Sequence, residues 1–394
     1  MEPQRLILIG CGRIARKHLK AIRFAEKKKW ARLVALVDPR IDQAIALGTE
    51  FSYPCERFRS PEGENESAPV TNDPKKVQVF ASYEEALAQM KADVAVICTG
   101  SGLHYSQAKT CLEAGCHLLV EKPLSLFVSE AKTLVDLAEK SHKKIAVGHI
   151  YRYFPSASIL ARDLANGFFG KIYYAQLSMR WGHEAAYYSA SPWQGQRATS
   201  GGALMNQCVH GVDLLYWLLG KPDLVSCQAS LTRLTQPMEC EDLAFVTYHF
   251  APDTYAQVEA TTVTDPAYHE AKLFLAGSQG EVRLSLAKNS LRYEILRDGK
   301  KWQWAYLTRY LKEEIDRYGL GILGHMSNPH SFILIDLLEA IAEDRDPIAS
   351  GLDGYRSVEL VEAAYEASGF YDDLESGTPG GQVSKATKEE ERGD

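Results

Sequence analysis

The chain has 394 residues, 45% of them hydrophobic and 24% charged, a length typical of two domains with separate cores. Its net charge of −7, from 44 basic and 51 acidic residues, gives no basic field for nucleic acid or an anionic membrane. No apolar run approaches the ~18 residues that span a bilayer, and we expect no signal peptide. The eight cysteines show neither a CxxC pair nor zinc spacing, so we expect free thiols, no metal site and a cytoplasmic location.

The first third of the chain alternates aliphatic runs with amphipathic helical segments. Such runs, separated by helices, are typical of parallel strands covered on both faces. They lie at 5–10 (RLILIG), 32–38, 93–99, 117–121 and 144–148. We therefore predict a doubly wound α/β domain of the Rossmann type over residues 1–150. A polar, proline-rich stretch at 49–78 is interpreted as a long loop.

After residue 150, the pattern changes to alternation of apolar and polar residues. This alternation indicates a largely antiparallel, open sheet with one exposed face. The predicted strands are 172–181, 242–251, 254–263 and 270–277, and the predicted helices are 202–219, 331–342 and 354–367. We assign residues 151–374 to a second α/β domain. Residues 375–394 lack apolar anchors and are expected to form a disordered tail.

The first aliphatic run leads into a GxGxxA turn that opens a helix. Gly10 permits the tight turn, Gly12 lets the backbone approach a pyrophosphate, and the small Ala15 allows close packing. The helix N-terminus presents free N–H groups and a positive dipole end to phosphates. We predict a dinucleotide site here, with Gly10, Gly12, Arg13 and Ile14 as cofactor-binding residues.

Asp38 ends the second aliphatic run, after the predicted dinucleotide turn. An acidic residue at this place accepts hydrogen bonds from the adenosine ribose and repels a 2′-phosphate, which favours NAD. Arg40 keeps NADP as the alternative, and a simple turn residue before Pro39 is the structural alternative for Asp38. We predict NAD, with Asp38 and Arg40 at its adenosine end.

The stretch LVEKPLSL, residues 119–126, places two opposite charges and a proline directly after a predicted buried strand. A lysine at the carboxyl end of a sheet strand lies where open α/β folds bind ligands. Lys122 would hold a substrate hydroxyl and stabilise the developing alkoxide at short range. On this stretch alone, an exposed lysine in a turn is an equally good interpretation.

Residues 201–220, GGALMNQCVHGVDLLYWLLG, are predicted to form a largely apolar helix. If 204–219 is helical, Asn206, His210 and Asp213 share one face, and such a polar stripe needs partners or a cleft. The unperturbed pKa of a histidine suits proton transfer near neutrality, which makes His210 a candidate general base. A hydrogen-bonded core histidine is the alternative.

Several motifs occur together in a fixed order. They are GCGRIARKH, TGSGLH (99–104), EKP (121–123), GHIYRYFP (148–155) and GGALMNQCVH, followed by AGSQGEVRL (276–284) and PHSFILIDLLEAI (329–341). This ordered set resembles the glucose–fructose oxidoreductase/inositol dehydrogenase family (Gfo/Idh/MocA). The resemblance covers roughly residues 5–370.

The resemblance implies a Rossmann domain followed by an α/β domain whose open sheet forms oligomer contacts, so a homodimer or homotetramer is expected. It implies oxidation or reduction of sugars, sugar nucleotides or cyclitols with NAD or NADP. Lys122 and His210 match the catalytic lysine and histidine, and the peptide before Pro123 is expected to be cis. The implied strand-end residues that bind the cofactor are Thr99, Gly100, His104, Glu121 and Lys122.

Three departures from the family pattern stand out. Gly100 replaces the usual proline and loosens its turn, the 49–78 loop is longer than usual, and Asn206 replaces a common aspartate. An amide can orient a hydroxyl but cannot raise the pKa of the histidine by its charge. Asn206, with the preceding Trp193-Gln194-Gly195, resembles a branch that contains nucleotide-sugar and glycoside 3-dehydrogenases.

The leading hypothesis is hydride transfer between NAD and a secondary hydroxyl, at C3, of a sugar, sugar nucleotide or glycoside. His210 would take the hydroxyl proton, Lys122 would polarise the oxygen, and Asn206 would orient the substrate. Trp193 or Arg152 would help to bind the sugar. The alternatives are a glycosidase that oxidises C3 transiently with bound NAD, and a sensor that binds NAD or sugar without chemistry.

Overall fold

The computed structural model describes residues 2–57, 76–154, 157–191, 193–287, 292–320 and 328–371. These residues form two sheets with helices packed against them, which confirms the α/β fold class. The predicted tail at 375–394, and residues 58–75 of the predicted loop, lie outside the described residues. Among the described residues, no helix has the length and apolar character needed to cross a bilayer.

The first sheet has seven parallel strands. They are β1 (Gln4–Ile9), β2 (Ala31–Val37), β3 (Cys55–Arg57), β4 (Val77–Phe80), β5 (Val94–Ile97), β6 (His117–Val120) and β7 (Ile145–Val147). Their spatial order is β3-β4-β2-β1-β5-β6-β7. Sequence patterns missed β3 and β4, which lie at or next to one edge. The 49–78 segment is therefore not entirely a loop.

Helices cover both faces of this sheet, as its continuous aliphatic runs require. They are α1 (Ala15–Lys27), α2 (Ile41–Glu50), α3 (Tyr83–Gln89), α4 (His104–Glu113) and α5 (Val128–Lys140). A late helix, α10 (Pro329–Glu343), returns to pack against α1. Its apolar residues Ile333, Leu334 and Leu337 join the core of the first sheet.

The second sheet has eight strands in the order β15-β14-β13-β12-β8-β11-β10-β9. They are β8 (Ile172–Arg180), β9 (Leu224–Thr232), β10 (Leu243–Phe250), β11 (Thr254–Thr261), β12 (Glu270–Gly277), β13 (Gly280–Ser285), β14 (Arg292–Arg297) and β15 (Lys300–Lys301). The β11–β8 pair is parallel, and the other neighbours are antiparallel. This confirms the predicted mostly antiparallel sheet.

The remaining helices are α6 (Ala157–Ala165), α7 (Ala185–Ser189), α8 (Val209–Leu218), α9 (Gln303–Tyr318) and α11 (Gly351–Ser368). A π-helix (Ala203–Cys208) leads directly into α8. Close packing of α8 on β8 depends on Gly211, because a Cβ there would lie 2.7 Å from the Leu177 side chain. All eight cysteines lie within the described residues and are free thiols.

Candidate active site

The candidate site lies at the carboxyl ends of β1, β5 and β6, where the strand order reverses between β1 and β5. Open α/β sheets bind ligands in the crevice left by such a reversal. The second sheet's connecting segments close over this crevice. Lys122, after β6, donates to the backbone carbonyl of Asn206, and the Gly102 N–H donates to the Thr199 carbonyl at 2.9 Å.

The turn after β1 fits a dinucleotide. Gly10 has a φ of +91°, and a Cβ there would lie 2.8 Å from the Thr99 side chain, so the position requires glycine. A Cβ on Gly12 would meet nothing within 4 Å, so the space beside its backbone is open. Ile14, at the N-cap of α1, supplies no side-chain hydrogen bond to the first N–H groups of the helix. The Lys17 N–H is bonded to the Ile14 carbonyl at 2.8 Å, and the N–H groups before it suit phosphate oxygens.

Asp38 is buried directly after β2 and braces this turn. Its Oδ2 accepts the Cys11 N–H, and its Oδ1 accepts the Arg40 N–H, each at 2.9 Å. A carboxylate offers about four lone-pair positions, which leaves two for ribose hydroxyls. The Arg40 side chain is 74% exposed, and its Nε lies 3.6 Å from Oδ1. Both residues therefore fit the adenosine end of NAD.

His104 does not occupy the position expected of a residue that binds the cofactor. It is buried, with Nδ1 2.7 Å from the Pro123 carbonyl oxygen and Nε2 3.2 Å from the Thr99 carbonyl oxygen. Both ring nitrogens therefore face backbone, and burial lowers the pKa of the imidazole. His104 ties the loops after β5 and β6 together, which argues against the expected direct contact with the cofactor.

Glu121 is held between two histidines that sequence reasoning did not select. Its Oε1 lies 2.7 Å from Nε2 of His18, on α1, and 3.6 Å from Nε2 of His330, on α10. Burial would raise the pKa of Glu121, but His18 and His330 hold it well below its ordinary value. The 2.7 Å between His18 Nε2 and Glu121 Oε1 is a hydrogen-bond distance. Two ligand atoms that each lie ~2.0–2.2 Å from a tetrahedral metal are further apart from each other than this, so we assign no metal to the group.

Lys122 projects from the end of β6 into the crevice, and its peptide bond to Pro123 is cis, as expected. Its ammonium group donates to the Asn206 carbonyl oxygen. Burial lowers the pKa of Lys122 to about 8, although Glu121 opposes the shift. Lys122 is thus no exposed turn lysine, because its charge is held close to the segment that carries His210.

The segment 201–216, all of which the structure describes, is buried except at Asn206, Gln207 and His210. These three residues are the partly exposed ones of the segment that follows the Lys122 contact. The predicted single helix over 202–219 is wrong in detail, because the π-helix Ala203–Cys208 precedes α8. Asp213 is fully buried, and its carboxylate is paired with Arg152, so this member of the predicted polar stripe has a partner and no place in a cleft.

His210 lies near Lys122 and beside two aromatic rings. Its ring centroid is 5.3 Å from that of Tyr151 and 6.1 Å from that of His149. Burial, reinforced by the Lys122 charge and by His149, lowers the pKa of His210 well below its ordinary value. Its buried Nδ1 has no hydrogen-bond partner among the described residues. A neutral imidazole of this kind is able to accept a proton.

Arg152 does not bind substrate as predicted, because its guanidinium group is fully buried in ion pairs. Nε and Nη2 donate to the Asp213 carboxylate at 2.7 and 2.6 Å, and Nη1 donates to the Ile348 carbonyl at 2.7 Å. Nη1 also lies 3.2 Å from Oδ2 of Asp353. Arg152 instead joins α8 to α11.

Two further side chains border the crevice. Trp193 is 44% exposed, and a Cβ on Gly100 would lie 3.9 Å from its ring, so Trp193 stands over the turn after β5. Gln207, which sequence reasoning missed, lies beside His183, with Nε2 to Nε2 3.1 Å. The position of Gln207 directly after Asn206 was the feature of the sequence that could have identified it. Its neighbour His183 follows β8, far away in sequence.

Comparison with known proteins identifies the family. Residues 4–149 match the Gfo/Idh/MocA model for the NAD-binding Rossmann fold of an oxidoreductase family, and residues 161–369 match its C-terminal α/β domain. The D-glucoside 3-dehydrogenase of Escherichia coli is 27% identical over 228 residues, which cover 58% of this chain and 57% of that enzyme. The D-apiose dehydrogenase of Paraburkholderia graminis is 23% identical over 373 residues, which cover 91% and 86% of the two chains.

The fold also matches solved structures. The WlbA dehydrogenase of Bordetella pertussis, in complex with NADH and UDP-GlcNAcA, is 25% identical, with a TM-score of 0.76, over 93% of this chain and 96% of that one. Among curated sequences, the chain spans about half the length of several relatives that it matches. Two family models together cover most of the chain. The chain belongs to the Gfo/Idh/MocA oxidoreductases, and its N-terminal domain is their NAD-binding Rossmann fold.

Proposed function

We propose that the chain is an NAD-dependent dehydrogenase that acts on a secondary hydroxyl, at C3, of a pyranose in a sugar nucleotide or a glycoside. The observation that carries this proposal is the placement of Lys122 and His210 together beside the dinucleotide turn. WlbA in complex with NADH and UDP-GlcNAcA, and the D-glucoside 3-dehydrogenase, support the substrate class.

In this proposal, Lys122 and His210 divide the chemistry of one hydroxyl group. Lys122, with a pKa lowered to about 8, is largely protonated at neutral pH and donates to the substrate oxygen. His210, with a strongly lowered pKa, is neutral and takes the hydroxyl proton. Bound NAD supplies the acceptor for the hydride that leaves the same carbon. The reverse reaction returns the proton from His210 to the alkoxide oxygen.

Asn206, Gln207 and Trp193 are the proposed substrate-binding side chains. The Asn206 amide donates to the Ser200 carbonyl at 3.3 Å, which sets its orientation and leaves its oxygen for a sugar hydroxyl. Gln207 adds a second amide, next to Asn206 in the chain and beside His183. The exposed face of Trp193 offers a flat apolar surface of the kind on which pyranose rings pack.

Turnover with a panel of sugar nucleotides and glycosides, followed at the absorbance of reduced nicotinamide, tests this function. We expect net NAD reduction with at least one substrate, and its loss in Lys122→Ala with NAD binding retained. A glycosidase would release the aglycone without net NAD reduction, and a sensor would bind without turnover.

NAD should also raise the Tm more than NADP, because Asp38 occupies the place of a 2′-phosphate.

We also propose that the chain forms homodimers or homotetramers through the outer face of the second sheet. This face exposes the aromatic rings of Phe245 and Tyr255, while the residues on either side of each along its strand are buried. It also carries an ion-pair network in which Arg180 contacts Glu259 and Glu270. Aromatic and charged groups on one open face suit a second copy of the same surface.

A further inference from the structure

Glu241 is a buried carboxyl group that contacts the first residues of the π-helix. It is 0% exposed. Its Oε1 accepts the Leu204 N–H at 2.9 Å, and its backbone carbonyl accepts the Ala203 N–H at 3.0 Å. One residue therefore binds two of the N–H groups that the first turn of a helix leaves without partners. No described contact joins Glu241 to the crevice itself.

The same carboxylate is fixed from its other side by two tyrosines. The Tyr365 hydroxyl, on α11, donates to Oε1 at 3.2 Å, and the Tyr371 hydroxyl donates to Oε2 at 3.4 Å. Gly202 makes room for the carboxylate, because a Cβ on Gly202 would lie 2.1 Å from Oε2. The position of Glu241 therefore depends on the absence of a side chain at residue 202.

The contacts continue from Glu241 to the reacting groups. Ala203 and Leu204 begin the π-helix that contains Asn206, and the Asn206 carbonyl oxygen accepts the Lys122 ammonium group. A shift of the π-helix therefore moves the acceptor of Lys122 and the side chain of Asn206 together. It also moves the start of α8, which carries His210.

The surroundings of Glu241 are largely uncharged, and burial raises its pKa to about 7. The titratable and charged groups that face it, besides the two tyrosines, are Cys208 on the π-helix, the adjacent Cys240, Tyr188 on α7, and Arg197, whose guanidinium lies 4.0 Å from the Tyr371 ring. Burial raises the pKa of both thiols.

We propose that Glu241 is a positioning residue of the active site, which holds the π-helix so that the Asn206 carbonyl and Lys122 stay in contact. The expected effect on turnover rests on the proposed function, whereas the contact between Lys122 and the Asn206 carbonyl is present without substrate. Glu241 acts through the π-helix and does not touch the reacting atoms.

Two variants test this role, with a matched control. Glu241→Gln keeps the shape and removes the charge, and Gly202→Ala places a methyl group where the carboxylate lies. Glu239→Gln removes an exposed carboxylate two residues away, and serves as the control. The first readout needs neither NAD nor substrate: the acetylation rate of Lys122 by trace acetic anhydride over a pH series, quantified by mass spectrometry.

We expect the pH midpoint of Lys122 acetylation to rise from about 8 towards 10.5 in both Glu241→Gln and Gly202→Ala, because a displaced π-helix admits water to the ammonium group. The midpoint in Glu239→Gln should equal that of the wild type. The second readout is turnover, where kcat should fall by about 10²-fold with NAD affinity unchanged.

Unchanged Lys122 midpoints in folded Glu241→Gln and Gly202→Ala would overturn the positioning role, whatever the turnover. If neither variant folds, Tyr365→Phe removes one donor to the carboxylate and decides the question: a raised midpoint supports the role and an unchanged one overturns it. Shifted midpoints in a protein that oxidises no sugar would support the role of Glu241 while contradicting the proposed function.

Discussion

At the residue scale, burial acts on Lys122 and His210 in the same direction but leaves them in different charge states. It lowers the pKa of Lys122 to about 8, so this group stays largely charged at neutral pH. It lowers the pKa of His210 well below 6.5, so the imidazole stays neutral. One group can therefore stabilise a negative oxygen while the other accepts a proton. The proposed division of labour follows from these two states.

Asn206→Asp should move the acidic limb of the pH–rate profile to higher pH. A carboxylate within ~4–6 Å of the imidazole would favour the imidazolium form and raise the pKa of His210. Because the base works only when neutral, activity would then be lost at a higher pH as the solution is acidified. The measurement is kcat/KM across a pH series for the wild type and the variant. A purely structural Asn206 predicts lower stability with an unmoved limb.

His210→Ala provides the complementary experiment. If His210 is the general base, kcat should fall by about 10²–10⁴, with partial recovery at high pH. The Tm of this variant reports whether the loss arises from folding. Near-normal activity in His210→Ala, with an unmoved limb in Asn206→Asp, would remove His210 from the mechanism and leave Lys122 as the base.

Lys122→Met should stabilise the protein at neutral pH while abolishing turnover. The folded-state pKa of Lys122 is depressed from 10.5 to about 8, so the charged lysine costs free energy of folding below pH 8. This cost, about 3 kcal/mol, disappears as the pH rises from about 8 towards 10.5. The gain from Lys122→Met should therefore shrink over that interval in denaturant unfolding. The control is Lys91→Met, at an exposed position; an equal gain there would contradict the explanation.

At the element scale, the helix that carries His210 shows where sequence periodicity stops being informative. The apolar spacing at 204–219 predicted a helix, and α8 confirms it from residue 209 onwards. The π-helix before it depends on two contacts with Glu241: the Leu204 N–H donates to its carboxylate, and Gly202 leaves space for that carboxylate. Glu241 is 37 positions from Leu204 and 39 from Gly202 in the chain. A window of neighbouring residues does not contain such information.

Asp213 and Arg152 illustrate the same limit. Arg152 was predicted to help bind the sugar, and Asp213 was predicted to need a partner or a cleft. In the structure they neutralise each other, with a 2.6 Å contact between Arg152 Nη2 and Asp213 Oδ1 in the buried joint of α8 and α11. Sixty-one positions separate the two residues in the chain, and charge alone does not reveal which partner each one finds.

Arg152→Met should destabilise the protein by about 3–5 kcal/mol, because it leaves the Asp213 and Asp353 carboxylates buried without their guanidinium partner. The matched control is Arg162→Met, which breaks a surface ion pair with Glu313 and should cost about 0–1 kcal/mol. Urea unfolding of both variants measures the difference. An Arg152→Met protein of normal stability with a raised KM for sugar would restore the substrate-binding role that the geometry argues against.

At the scale of the whole molecule, the aliphatic runs were sufficient to predict the parallel sheet, and the alternating runs predicted the antiparallel one. The short edge strands β3 and β15 were missed because three or two residues cannot show a period. The strands β4, β9, β13 and β14 were not predicted either. The packing of α10 against α1 was also missed. It brings His330 to Glu121 across more than 200 residues of chain, so the C-terminal part contributes a contact at the end of β6.

The outer face of the second sheet carries exposed aromatic rings that suit self-assembly. Phe245 is 52% exposed in the middle of β10, between the buried Ala244 and Val246, so its ring points away from the core. Trp304, 74% exposed, borders a cavity of about 950 Å³ on the same face. Covering these apolar rings with a second copy removes them from water, which favours association.

Phe245→Glu should therefore convert the proposed dimer or tetramer into a monomer of 43.9 kDa, as measured by light scattering coupled to size-exclusion chromatography. The introduced carboxylate would be desolvated in the interface, and it would lie opposite Glu259 on the neighbouring strand within its own sheet. Leu352→Glu, at an exposed apolar position in the first turn of α11, is the control and should leave the assembly unchanged. A wild-type protein that already elutes as a monomer, or a Phe245→Glu protein that keeps the wild-type mass, would show that this face is not the interface.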